Sequence, residues 1–137
     1  MTDRELWTEC LQPDYTQRMA RPDPADFLPL KTDAAFVMMA LDARPLHGYA
    51  IIGDVADRSS GEVQLQTGAL YRTLRRLLAD GLIVECDRPS GEASADERRR
   101  YYRTTPLGRA VLEADLARMT KLVRAAQASR SRKPRLA

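Results

Sequence analysis

The sequence predicts a mainly α (α+β) fold, a winged helix-turn-helix with an N-terminal arm and a long C-terminal helix. Three observations point there. Three short segments of helical hydrophobic period follow one another between residues 33 and 80. The period then shortens to two on either side of a polar loop, as in a hairpin. A helical pattern finally resumes at Thr105-Pro106 and runs for more than twenty residues. At 137 residues, 44% hydrophobic and 30% charged, the chain can bury one small core.

Residues 1–31 read as an arm. Thr2 and Glu5 have capping-box spacing, and Leu6, Trp7, Cys10 and Leu11 share one face of a short helix. Pro13 ends it, and Pro22, Pro24 and Pro29 exclude regular helix through RPDPADFLPLK. Phe27, Leu28 and Leu30 are apolar enough to require a surface to lie on. Residues 32–105 form the winged domain. Its first helix spans 33–43, with Asp33 as N-cap and an AAFVMMAL stretch that is apolar all round and so buried. Residues 47–58 form the second helix, with Tyr49, Ile51, Ile52 and Val55 inward. Ser59-Ser60-Gly61 breaks the chain. The third helix, 66–80, points Leu70, Leu74, Leu77 and Leu78 inward and closes on Gly81 as a C′ glycine. LIVECDR (82–88), with Leu82, Val84 and Cys86 on one face, and RRRYYRT (98–104) are the hairpin strands. Thr105 then caps a helix with Pro106 in its first turn. That helix covers 106–129, and a basic tail occupies 130–137.

Charge is distributed unevenly. Residues 1–65 carry 6 Lys and Arg against 11 Asp and Glu, while residues 66–137 carry 16 against 8. An Arg-rich half suggests a polyanionic partner, and a solvated charged surface is the alternative. No apolar run is long enough to span a bilayer, and MTDRELWTEC has no secretory h-region. Two cysteines 76 positions apart without CxxC fit a reducing cytoplasm. With one histidine, His47, and no nucleophile–base pair, neither an enzyme nor a metal or other cofactor is expected. His47 reads as a fold-supporting side chain bonded to backbone. Gly48 and Gly53 have phosphate-loop spacing, but Asp54 stands where the lysine belongs.

Opposite its leucines the third helix carries Gln66, Thr67, Tyr71, Arg72 and Arg75. Its first turn can meet base edges in a major groove, where Gln pairs with adenine and Arg with guanine. Tyr71 offers a hydroxyl to phosphate. Taken alone, this set also fits a solvated helix face. Arg98, Arg99 and Arg100 on the hairpin make a second basic patch, and contact with DNA phosphates accounts for both.

Residues 45–109 resemble the PadR family of winged-helix transcriptional regulators. PLHGYAI (45–51), TGALYRTLRRLLADGLI (67–83) and RRRYYRTTPLGR (98–109) match three family signatures in order and at family spacing. The resemblance implies a dimeric DNA-binding repressor, often relieved by a small molecule. It puts Tyr71, Arg72 and Arg75 on the DNA-reading helix, Arg98, Arg99 and Arg100 on the wing, and Tyr102 and Leu107 at apolar positions. Thr104 stands where the family usually has leucine, which implies looser packing beneath the second strand. The single C-terminal helix matches the family's short branch, in which that helix dimerises.

The last helix gives the same expectation independently. Leu112, Leu116, Met119, Val123 and Ala126 recur at gaps of 4, 3, 4 and 3, a heptad seam. Left against water it would expose an apolar stripe, so a homodimer is expected. Two copies would place two recognition helices about 34 Å apart on a roughly palindromic site in double-stranded DNA. A small aromatic effector between protomers is a further expectation. The alternatives are a winged-helix adaptor that binds protein, and an architectural DNA binder without sequence preference.

Overall fold

The structure, a computed structural model, describes residues 22–89 and 100–132. The helix expected around Trp7, the hairpin residues Arg98 and Arg99, and the tail from 133 lie outside the described residues. A 3-10 turn, Pro24–Phe27, comes first and is capped by the Asp23 carboxylate, which accepts from the Ala25 N–H. The elements that follow are α1 (Thr32–Ala43), β1 (Leu46–His47), α2 (Gly48–Arg58), α3 (Thr67–Ala79), β2 (Ile83–Cys86), β3 (Tyr101–Thr104) and α4 (Pro106–Ser131). Among the described residues, no helix is long and apolar enough to cross a membrane.

Helix α1 starts one residue earlier than its sequence predicts. Lys31 is the N-cap, without a side-chain bond, and the Asp33 carboxylate accepts from the Ala34 N–H at 2.8 Å. Asp33 therefore sits inside the first turn, where its charge favours the positive end of the helix. Val37, Met38, Ala40 and Leu41 of α1 are buried against Ile51 and Val55 of α2 and Leu70, Leu74 and Leu77 of α3. Phe27, Leu28 and Leu30 pack on this core from the side. The Leu30 N–H also donates to the Asp115 carboxylate of α4 at 3.5 Å, so the segment before α1 is tied to the last helix.

Among the described residues the sheet has three strands in the order β1-β3-β2, one more than the predicted hairpin. Pro45 disfavours helix at Arg44, whose backbone is extended (φ −167°, ψ 159°). The extended chain continues through Leu46 and His47, which pair antiparallel with Tyr102 and Tyr101. Strands β2 and β3 pair from Ile83–Thr104 to Cys86–Tyr101. Both are shorter than expected, and Ile83 is buried beside Leu82. Strict alternation from Leu82 fails because Leu82 still belongs to the turn ending α3. Gly81 (φ 75°) donates to the Leu78 carbonyl at 3.1 Å and Leu82 to the Leu77 carbonyl at 3.0 Å, a Schellman closure.

Helix α4 is seated through Thr105. Its Oγ1 accepts from the Gly108 N–H at 3.0 Å and donates to the Gly81 carbonyl at 2.6 Å, while its own N–H donates to the Leu82 carbonyl at 3.1 Å. Gly108 is forced here: a Cβ at that position would lie 1.9 Å from the Leu82 carbonyl oxygen. Thr104 contributes its methyl to the same contact, and its Oγ1 is buried without a hydrogen-bond partner. Val111 and Leu112 then enter the core, and Arg109 pairs with Asp42 of α1 at 2.9 Å. Beyond residue 119 every described residue of α4 is exposed.

Candidate nucleic-acid interface

Helix α3 divides as its leucine spacing requires. Leu70, Leu74 and Leu77 are buried, and Gln66, Thr67, Tyr71, Arg72, Arg75 and Arg76 are exposed. Gln66 is the N-cap residue and makes no side-chain cap bond. The sequence treats this polar surface as one face. The fold splits it between two flanks.

On one flank Tyr71 and Arg75, four residues apart, line a cleft of about 560 Å³ whose other wall is the sheet. Arg100, at the foot of β3, and Glu85 of β2 line it too. The Arg100 Nη1 lies 3.4 Å from Glu85 Oε1, and both side chains are largely open to solvent. Such an exposed pair is weak, about 0–1 kcal/mol, and exchangeable for another anion. The start of α2 forms the floor. A Cβ on Gly48 would meet the Tyr71 hydroxyl at 3.3 Å, so this glycine gives Tyr71 room to lie over the helix end. On the other flank Arg72 and Arg76 line a separate groove of about 770 Å³ with Phe27 to Lys31 of the arm. The structure thus brings Tyr71, Arg75 and Arg100 together and sets Arg72 apart.

Seven lining residues of the cleft are absent from the predicted set, and three of them bear on its chemistry. Tyr49, expected inside, is 73% exposed and lines the cleft. It precedes Ile51 by two positions, about 200° around the helix, and so cannot share the face of Ile51 and Val55. His47 caps α2: its Nδ1 accepts from the Ala50 N–H at 3.3 Å, and its ring meets Tyr101 edge-on at 5.4 Å. Glu85 is the third. Tyr102, opposite it in β3, is buried, and that burial, followed by the nearby Glu85 carboxylate, holds its phenol above the ordinary pKa. Among the described residues no group of three or more His, Cys, Asp or Glu is placed to hold a metal.

The predicted seam on α4 is also divided. Leu112 lies in the domain's own core at 3% exposure, a correction to its place in an intermolecular stripe. Leu116, Met119, Val123 and Ala126 lie farther along; Leu116 and Val123 are open to solvent, and so is Leu122, which the heptad count omits. At 1.5 Å per residue α4 is about 39 Å long, and from residue 120 onward every described residue of it is exposed.

Residues 37–114 match the model of the transcriptional regulator PadR-like family. The chain is 45% identical over 62 residues to the transcriptional regulator Rv3488 of Mycobacterium tuberculosis, a match covering 44% of this chain and 53% of that protein. It is 32% identical over 66 residues to an uncharacterized protein X of Lysinibacillus sphaericus, covering 48% and 58%. The chain therefore spans little more than half the length of these curated relatives. A PadR family transcription regulator from hypervirulent Clostridium difficile R20291 has the same fold at TM-score 0.59 and 23% identity, over 71% of this chain and 96% of that one. Bacillus subtilis PadR, solved in complex with operator DNA, superposes at TM-score 0.54 and 18% identity, over 64% and 48%.

Proposed function

Since the chain belongs to the PadR-like family of transcriptional regulators, we propose that it binds double-stranded DNA as a homodimer in the cytoplasm and represses transcription. The observation that carries this reading is the convergence of Tyr71 and Arg75 from α3 with Arg100 from the wing on one cleft. These residues come from distant parts of the chain, and a solvated surface gives no reason for them to meet. The solved operator complex of Bacillus subtilis PadR, which shares the fold, supports it.

In this reading Gln66, Thr67 and Arg72 lie toward the major groove and read base edges. Arg75, Arg98, Arg99 and Arg100 neutralise phosphates on either side and fix the register. Leu116, Met119, Leu122, Val123 and Ala126 of α4 pair with the same stripe of a second copy, because an exposed helix carrying these apolar groups gains most by burying them. Two-fold pairing makes the preferred site roughly palindromic. An aromatic effector seated between protomers would change wing separation and hence affinity, to the extent that it binds the two arrangements differently.

Selection of bound sites from random duplex DNA gives site, symmetry and half-site spacing together. Arg75→Ala and Arg99→Ala should each weaken binding to all duplexes about equally and lower the logarithmic salt slope by about 1, as expected for losing one phosphate contact. Both variants binding as tightly as the parent would refute the interface. Titration of Trp7 fluorescence with planar aromatic compounds tests the effector. No compound perturbing Trp7 or weakening DNA binding would remove it.

A further inference from the structure

Among the described residues lining the cleft between α3 and the sheet, Glu85 is the one acid. On the reading above this cleft receives a polyanion, so a carboxylate there is electrostatically misplaced unless it has a role. Its position is not an accident of a mobile loop. Glu85 sits in β2, directly paired with Tyr102 of β3, and the sheet fixes where its side chain starts. Its oxygen contacts the Arg100 guanidinium of the wing at 3.4 Å. Fork-shaped guanidinium groups accept carboxylate and phosphate oxygens alike.

We propose that Glu85 is an affinity-setting residue that occupies the place of a backbone phosphate on Arg100 and lowers the affinity of the protein for every duplex. This rests on the DNA-binding reading of the cleft. In the free protein Arg100 already has an anion. On binding it exchanges Glu85 for a phosphate, so the contact adds less than a bare arginine would. The displaced carboxylate then remains close to the DNA backbone and repels it. Neither effect depends on base sequence, because both act on the sugar–phosphate chain. Sequence-dependent contacts must come from α3, which carries no acidic residue along its exposed face. The consequence is low occupancy of unrelated DNA, while a site that satisfies α3 still holds the protein.

The test is Glu85→Gln in the full chain, measured by fluorescence anisotropy on the selected duplex and on a scrambled duplex of the same composition, across a salt series. Glu85→Gln should bind both duplexes about three- to tenfold more tightly, as expected for removing one anion near a phosphate. The salt dependence should steepen by up to about 0.9 in the logarithmic slope. In an Arg100→Ala background the gain should shrink, since the exchange has been removed and only repulsion is left. Unchanged or weaker binding by Glu85→Gln would overturn the proposal, and weaker binding would make Glu85 a residue that merely positions Arg100. If Arg75→Ala loses binding while Glu85→Gln changes nothing, this inference fails and the DNA-binding reading stands. If the parent protein ignores both duplexes, the DNA-binding reading itself fails.

Discussion

Replacing Gly108 by alanine tests how closely α4 is seated on the turn that ends α3. The added Cβ would lie 1.9 Å from the Leu82 carbonyl oxygen, 2.9 Å from its carbon and 2.9 Å from the Thr104 methyl. Backbone blocks it, so no side chain can swing away. Reaching even the shortest tolerated contact of 3.0 Å requires the helix to retreat by about 1.1 Å. That retreat stretches the Thr105 N–H bond to Leu82, at 3.1 Å, and the Thr105 hydroxyl bond to Gly81, at 2.6 Å. Overpacking costs about 2 kcal/mol and the two weakened bonds about 1 kcal/mol each, while alanine returns about 1 kcal/mol of helix propensity. The expected loss is about 3 kcal/mol, or about 10 °C in Tm. Gly53→Ala is the matched control. Gly53 is exposed in α2 with nothing within 4 Å of its would-be Cβ, so this change should stabilise by up to about 1 kcal/mol. Urea unfolding followed by circular dichroism at one fixed protomer concentration measures both. Equal stability for Gly108→Ala and the parent, or the same sign for both variants, would refute the argument.

Further outcomes follow from other parts of the fold. Leu122→Glu and Val123→Glu put charge into the exposed stripe of α4 and should convert a dimer to single protomers in sedimentation velocity; a species that stays dimeric places the interface elsewhere. Thr105→Ala removes the α4 cap and the bond to Gly81, and should cost about 1–3 kcal/mol in the same urea assay; a loss under about 0.5 kcal/mol counts against the junction. The Tyr102 phenol is held above its ordinary value of 10.0 by burial first and by the Glu85 carboxylate second. The folded state thus keeps a proton that the unfolded chain gives up. Stability should be indifferent to this group below about pH 10 and fall above it, and Tyr102→Phe should flatten that decline. An identical alkaline limb in the variant would show that Tyr102 contributes nothing to it.

What the sequence disclosed was mostly local. The Thr105 cap, Pro106, the Gly81 closure and the leucine stripe of α3 are each written within a few residues of where they act, and the structure has them in place. Pairing of Leu46 and His47 with Tyr102 and Tyr101 joins residues more than fifty positions apart, and a two-residue strand carries no period of its own. Asp33 is a good cap by type, but the helix begins at Thr32 and takes it into the first turn. Hydrophobicity groups Tyr49 with Ile51, but the helical angle separates the two, and the exposure of Tyr49 follows from the angle. The division of α3's polar surface depends on what lies beside each flank, the wing for Arg75 and the arm for Arg72, which no pattern within the helix records. Glu85 carries no signal in the sequence, because any one acid in a basic half looks like background until the sheet puts it against Arg100.

The Thr105 junction has a mechanical consequence. One hydroxyl holds both the first turn of α4 and the glycine that ends α3. A rod roughly 39 Å long, bolted at one end in this way, works as a lever. A tilt imposed on its far end would be felt, through that hydroxyl, at the glycine that ends α3.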